Sequence, residues 1–108
     1  PDLVARVKQE VDGMLSEGMI SRETLCERLG ISYRNLHRKL KSRQTSYQQL
    51  LDEVRAERAV AALSDGHANL EALADSLAFS SAKSFSRWFA IQFGVSPCQF
   101  RDKNLSSR

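Results

Sequence analysis

The chain reads as an all-α protein of about seven helices, in which two copies of one helical pattern flank a long helix. Three observations predict this. Apolar residues recur at helical spacing, and no strand-like alternation lasts more than a few residues. Gly (5) and Pro (2) are scarce among the 108 residues, too few for the turns of an all-β fold. Third, ETLCERLGISYRNLHRKLKSRQTSYQQLL returns in altered form as EALADSLAFSSAKSFSRWFAIQFGVSPCQFR. Leu25 matches Leu73, Leu29 matches Leu77, Ile31 matches Phe79 and Ser32 matches Ser80. One inserted residue then brings Leu36 onto Phe85, Arg38 onto Arg87 and Leu40 onto Phe89; another brings Ser46 onto Ser96 and Leu50 onto Phe100.

Val4, Val7, Val11, Met14 and Leu15 put residues 2–16 on an amphipathic helix that Gly18 ends. Ser21 is a natural N-cap for a short helix to Leu29, with Ile20 placed to staple onto Leu25. Gly30 permits a tight turn. Ser32 caps the next helix, which runs to about Ser42 with Leu36 and Leu40 inward. Ser46 and Gln49 form a capping box that opens the long helix. Leu50, Leu51, Val54, Ala59, Val60 and Leu63 give it a buried stripe, and it ends near Ser64–Gly66. Roughly eighteen residues at ~1.5 Å each span about 27 Å. Asn69 caps another short helix, and Ser80 or Ser81 the one after it. Ser96 and Gln99 form a second capping box, with Pro97 at the first helical position. The last helix frays after about Lys103, leaving Asn104–Arg108 as a polar, disordered tail. The expected organisation is a first helix–turn–helix subdomain over 1–45, a linker helix over 46–65, a second subdomain over 66–103 and a tail over 104–108.

Such units cross their helices closely, so the first helix needs a small residue against the second. Cys26 and Ala74 hold that place in the two copies. Gly30 has Ala78 as its counterpart, whose Cβ makes a left-handed conformation costly. Cys26 and Cys98 lack metal or redox spacing and read as free, buried thiols of a reducing compartment. No signal-peptide pattern or long apolar run is present, so a cytoplasmic chain that neither spans nor enters a membrane is expected. The chain starts at Pro1 without an initiator Met and reads as a fragment of a longer protein.

Net charge is only +3, but its distribution is uneven. From Leu29 to Leu51 there is no acid, while Arg34, Arg38, Lys39, Lys41 and Arg43 are basic; from Ser76 to Arg101 the only charges are Lys83, Arg87 and Arg101. Positive charge is thus confined to the end of each repeat. If Leu36 and Leu40 face inward, Arg34, His37, Arg38 and Lys41 share the outer face at i, i+3, i+4, i+7. With Phe85, Phe89 and Phe93 inward, Ala82, Lys83, Ser86 and Arg87 face outward in the second copy. A single basic helix face is usually just solvated surface. Two in matching repeats point to an extended, regular anion, and duplex DNA is one. Arginine can hold guanine O6 and N7 together, and Lys or Tyr can hold phosphates. Tyr33 fits either a phosphate contact or a packing lid. Trp88 reads as partly buried core, His67 as a loop residue, and Arg55 and Arg58 as ion-paired with Glu53, Glu57 or nearby helices.

Enzyme chemistry finds no support. The two His and two Cys lack metal-ligand spacing, no glycine-rich phosphate loop exists, and no nucleophile has an evident base partner. No cofactor or metal is expected. Two rival readings are a basic helical module that binds acidic proteins, and an accessory DNA-binding domain fused to an enzyme.

Over residues 19–101 the chain resembles the AraC/XylS family of bacterial transcription regulators. The strongest part is FSSAKSFSRWFAIQFGVSPCQFR, where Phe79, Phe85, Arg87, Phe89, Phe93, Gly94, Ser96, Pro97, Phe100 and Arg101 stand where the family's C-terminal signature has them. In the first half LGIS, Leu36, Arg38, Leu40, Arg55, Ala59 and Leu63 also fit. Ala78 departs from a usual Gly, and Gln44 stands where Gly94 stands in the second repeat. The resemblance implies a single DNA-binding domain of seven helices, with two homeodomain-like helix–turn–helix units joined by the long helix. It implies binding to promoter DNA and contact with RNA polymerase, by a domain expected to be monomeric on its own, with an attached, usually N-terminal, domain that in this family often senses a ligand or forms a dimer. Base reading would fall to Arg34, His37 and Arg38 in the first unit and to Lys83, Ser86 and Arg87 in the second. Phosphate contacts would come from Ser32, Tyr33, Lys41 and Ser81. The two recognition helices would enter successive major grooves about 34 Å apart.

Overall fold

A computed structural model describes residues 2–66 and 69–106, with the side chains of 104–106 left out. His67, the expected loop residue, and the tail end Ser107–Arg108 lie outside the described residues. The described residues form seven α-helices: α1 (Leu3–Ser16), α2 (Arg22–Leu29), α3 (Tyr33–Lys41), α4 (Tyr47–Ser64), α5 (Leu70–Ser76), α6 (Ala82–Phe93) and α7 (Pro97–Ser106). They divide into two compact units, Pro1–Val54 and Arg55–Arg108, so the long α4 gives its first half to one unit and its second half to the other.

Capping explains most helix starts. Ser21, Ser32, Asn69 and Ser81 each accept a hydrogen bond from the backbone N–H three residues on, at 3.0–3.2 Å. Each thereby satisfies an amide that the helix itself leaves without an acceptor. Ser81, not Ser80, is therefore the cap of α6, and the residue added in the second repeat is Ser80, in the turn before it. The capping box at α7 is closed from both sides: Gln99 N–H donates to Ser96 Oγ and Ser96 N–H donates to Gln99 Oε1, both at 3.1 Å. At α4, Gln49 N–H donates to Ser46 Oγ at 3.1 Å.

Four helix ends, those of α1, α2, α3 and α5, follow one recipe. A residue in the left-handed region turns the chain, and the next amide reaches back to a carbonyl five residues earlier. Gly18 (φ +80°) and Gly30 (φ +67°) do this at no steric cost, with Met19 N–H on Met14 O and Ile31 N–H on Cys26 O. Gln44 (φ +61°) and Ala78 (φ +62°) do it against their Cβ, with Thr45 N–H on Leu40 O and Phe79 N–H on Ala74 O.

In the first unit α1 packs on α2 and α2 on α3. Its buried residues include Val7, Val11, Met14, Leu15, Leu25, Leu36, Leu40, Leu50 and Val54, all aliphatic or Met. In the second unit α5 packs on α6 and α6 on α7. There Ala59, Leu63, Leu73, Ala74, Leu77, Phe85 and Phe89 form the centre, with Phe79, Trp88 and Phe100 packed partly buried against it. Trp88 thus takes its expected place, 5.3 Å from Phe79 and 6.2 Å from Phe85 between ring centroids.

Three expectations need correction. Phe93 is 36% exposed rather than core. It is the last residue of α6 before Gly94, and its ring lies against those of Phe89 and Phe100, at centroid distances of 4.4 and 6.0 Å. Cys98 is exposed rather than buried, because Pro97 and Phe100 take the inward face of α7. The last helix does not fray at Lys103 but continues through Ser106. Arg55 donates from Nε to the Leu77 carbonyl at 2.8 Å and from Nη2 to the Ala78 carbonyl at 3.3 Å.

Candidate nucleic-acid interface

Leu36 and Leu40 are fully buried, which fixes the rotation of α3. On a helix of 3.6 residues per turn, the side opposite Leu36 and Leu40 carries Arg34, Arg38 and Lys41, with His37 on its flank. All four are exposed. Asn35 shares this surface, and Arg38 Nη2 donates to its Oδ1 in a long 3.5 Å hydrogen bond. Tyr33 is 38% exposed at the start of the helix. Its ring lies 6.1 Å from that of His37 and carries the Arg22 guanidinium 4.5 Å from its centroid. A hydrogen bond with the Tyr33 hydroxyl raises the Arg22 pKa above the usual guanidinium value, so this cation stays charged.

Phe85 and Phe89 fix α6 in the same way. Lys83 and Arg87 are exposed, while Ser86 and Ala82 are half-buried. Ser32 and Ser81 stand at the N-termini of the two helices, where their Oγ atoms accept from Asn35 N–H and Ser84 N–H. The Ser32 hydroxyl keeps its own proton to donate outward. The Ser81 hydroxyl donates to Ser84 Oγ at 3.2 Å, and Ser80 Oγ lies 3.4 Å from the same atom.

Three other cations are paired with acids. Arg28 bridges Glu17 at 2.8 Å and Glu10 at 3.7 Å, Arg43 pairs with Asp2, and Arg101 with Asp102 at 3.6 Å. Among the described residues none of Arg34, Arg38, Lys41, Lys83 or Arg87 has an acidic partner. Uncompensated cations on a helix exposed along one face leave their charge available to an anion from outside.

Each predicted residue of a unit therefore lies on or beside its expected helix face. Sequence reasoning missed Arg22 and Asn35. Arg22 precedes α3 by a turn and a helix, and only the packing of α2 on α3 brings it over Tyr33. Asn35 had a legible signal: it is the residue after Arg34, three before Arg38, a spacing at which helical side chains meet. Cys26 is half-buried, and burial holds its thiol above the usual range, which suits a packing residue and not a nucleophile. Among the described residues no group of three or more His, Cys, Asp or Glu could hold a metal ion.

A helix-turn-helix domain family model matches residues 25–103. No curated protein matches the chain. Among solved structures, a DNA-binding transcriptional dual regulator from Escherichia coli K-12 superposes with a TM-score of 0.88 at 24% identity, over 98% of this chain and 95% of that one. The C-terminal domain of AraT, a response regulator from Geobacillus stearothermophilus, gives 0.82 at 27% identity, over 95% and 86%. The DNA-binding domain of AdpA, a global transcriptional factor solved in complex with a target DNA, gives 0.82 at 24% identity, over 100% and 97%. With a family match over most of its length and these neighbours, the chain belongs to the AraC-type helix–turn–helix family of transcription regulators.

Proposed function

We propose that this chain is the DNA-binding domain of a transcriptional regulator and reads duplex DNA through α3 and α6. The observation that carries the reading is the pair of exposed helix faces, at matching places in a duplicated unit, whose cations no acid neutralises. Family membership and the DNA complex of the AdpA domain support it. Arg34, His37 and Arg38 read bases in one major-groove segment, and Lys83, Ser86 and Arg87 read bases in the next. Arginine supplies two parallel donors suited to guanine, and Ser86 a short donor or acceptor for a closely approaching edge. Tyr33, Lys41, Ser32 and Ser81 hold phosphates and set the register, since backbone contacts position and base contacts specify. The two faces differ in sequence, so a single chain reads a non-palindromic site with its two segments about one helical turn, ~34 Å, apart. Promoter DNA in the bacterial nucleoid, beside RNA polymerase, is the setting this reading implies.

Selection of bound duplexes from a random pool tests the proposal. The expected result is a motif of two unequal segments one helical turn apart. Recovery of duplexes without any shared motif would favour instead a basic module for acidic proteins.

A further inference from the structure

The two repeats build the same turn from different residues. After α2, Gly30 takes the left-handed conformation freely, and α2 carries a basic residue, Arg28, in its own last turn, paired with Glu17 and Glu10. After α5, Ala78 takes the same conformation at φ +62°, and α5 has no basic residue in its last turn. The second turn is thus strained by a Cβ and lacks a cation of its own.

The register that places Leu25 on Leu73 and Leu15 on Leu63 also places Val7 on Arg55. Val7 is fully buried in the first unit. At the matching place in the second unit, Arg55 reaches the turn. Its Nε donates to Leu77 O at 2.8 Å, its Nη2 to Ala78 O at 3.3 Å, and its guanidinium carbon lies 4.2 Å from the centre of the Phe79 ring. One planar cation thereby holds three successive residues of the turn, two by their carbonyls and one by its ring face. It supplies at the C-terminal end of α5 the positive charge that the helix lacks.

We propose that Arg55 is the positioning residue of the second recognition helix. It keeps the Leu77–Phe79 turn in the left-handed form that Ala78 disfavours, and so sets the direction in which α6 leaves the turn and presents Lys83, Ser86 and Arg87. The proposal rests on the reading that α6 contacts bases. Its first consequence, however, is a property of the free protein.

The test uses Arg55→Met, which keeps the aliphatic stem, Arg55→Lys, which keeps a charge without the fork, and Ala78→Gly, which removes the strain. In the free protein, Arg55→Met should speed amide exchange at Ala78 and Phe79 about tenfold, with little change at amides in the middle of α6. Binding is then measured by fluorescence anisotropy on the selected duplex and on duplexes scrambled in one segment or the other. Arg55→Met should lose about tenfold in affinity for the selected duplex, and the loss should fall on discrimination at the segment read by α6. Arg55→Met/Ala78→Gly should recover most of that discrimination, whereas Arg55→Lys should fall between wild type and Arg55→Met.

Unchanged exchange at Ala78 and Phe79 would overturn the proposal, as would a loss shared equally by both segments that Ala78→Gly does not repair. Should Arg55→Met unfold the second unit, seen as a red shift of emission from Trp88, the sole tryptophan, then Arg55→Lys decides by the same two readouts. A wild-type protein indifferent to the segment assigned to α6 would overturn the base-reading role of that helix, and the exchange result would still decide whether Arg55 holds the turn.

Discussion

Arg38 sits on the outer face of α3, held by the Asn35 amide oxygen and by no acid. Arg38→Ala should cost about 1–3 kcal/mol of binding and relax base preference only at the positions it reads. Lys41→Ala should weaken all duplexes alike. Anisotropy titrations on single-base variants separate the two, and an Arg38→Ala variant with unaltered preference would displace Arg38 from the reading face. Gln44 is a different kind of residue-level case. It holds a left-handed φ of +61° at an exposed position. Gln44→Gly should therefore raise stability by roughly 0.5–1 kcal/mol, read as a higher urea midpoint. The repeat alignment exposed this position, because Gly94 stands at the corresponding helix end with φ +76°. Glu17 supplies the pH dependence. Its hydrogen bond from Arg28 holds its carboxyl below the usual carboxylate range. A depressed folded-state pKa contributes stability that is complete above the unfolded value, about 4.3, and is lost as pH falls through the folded one. Glu17→Gln should flatten the stability–pH curve below about pH 4.5, followed by circular dichroism.

At the scale of the helix, capping decides where the recognition helices begin and therefore which side chains stand in their first turns. Ser32→Ala and Ser81→Ala should each cost about 1 kcal/mol of stability, measured by urea unfolding. For Ser81→Ala the transition can be followed by Trp88 emission, because Trp88 packs on Phe79, Phe85 and Phe89 in the same unit. Helix starts were largely legible in the sequence, since a cap and its target amide lie three residues apart. The choice between Ser80 and Ser81 was not. Both are serines before the same helix, and the decision depended on which one the turn after Ala78 aims at Ser84. Phe93 misled for a related reason. Its spacing from Phe89 puts it on the apolar side of α6, but a residue in the last turn is covered only as far as the next element reaches.

For the molecule as a whole, the two units solve one packing problem with different side chains. The first is aliphatic apart from Met14 and Tyr47; the second is aromatic around Phe85 and Phe89. Both leave a helix face with unneutralised cations, so binding to DNA should weaken steeply with salt, with a slope in log K against log[salt] of about −0.9 per phosphate engaged. Lys41→Ala should reduce that slope by about 1. Affinity for the selected duplex that ignores ionic strength would remove the phosphate contacts from the account.

Local sequence specifies the helices, every predicted cap except the one at α6, the duplicated unit and the faces carrying Arg34, His37, Arg38, Lys83 and Arg87, because these depend on spacings of three and four residues that helix geometry imposes. Tertiary structure alone decided that Arg22 covers Tyr33 and that Arg55 grips the turn at Leu77–Phe79. Those contacts join residues far apart in the chain, and their free energy exists only once helices have packed and long side chains have been given a carbonyl or a ring to meet.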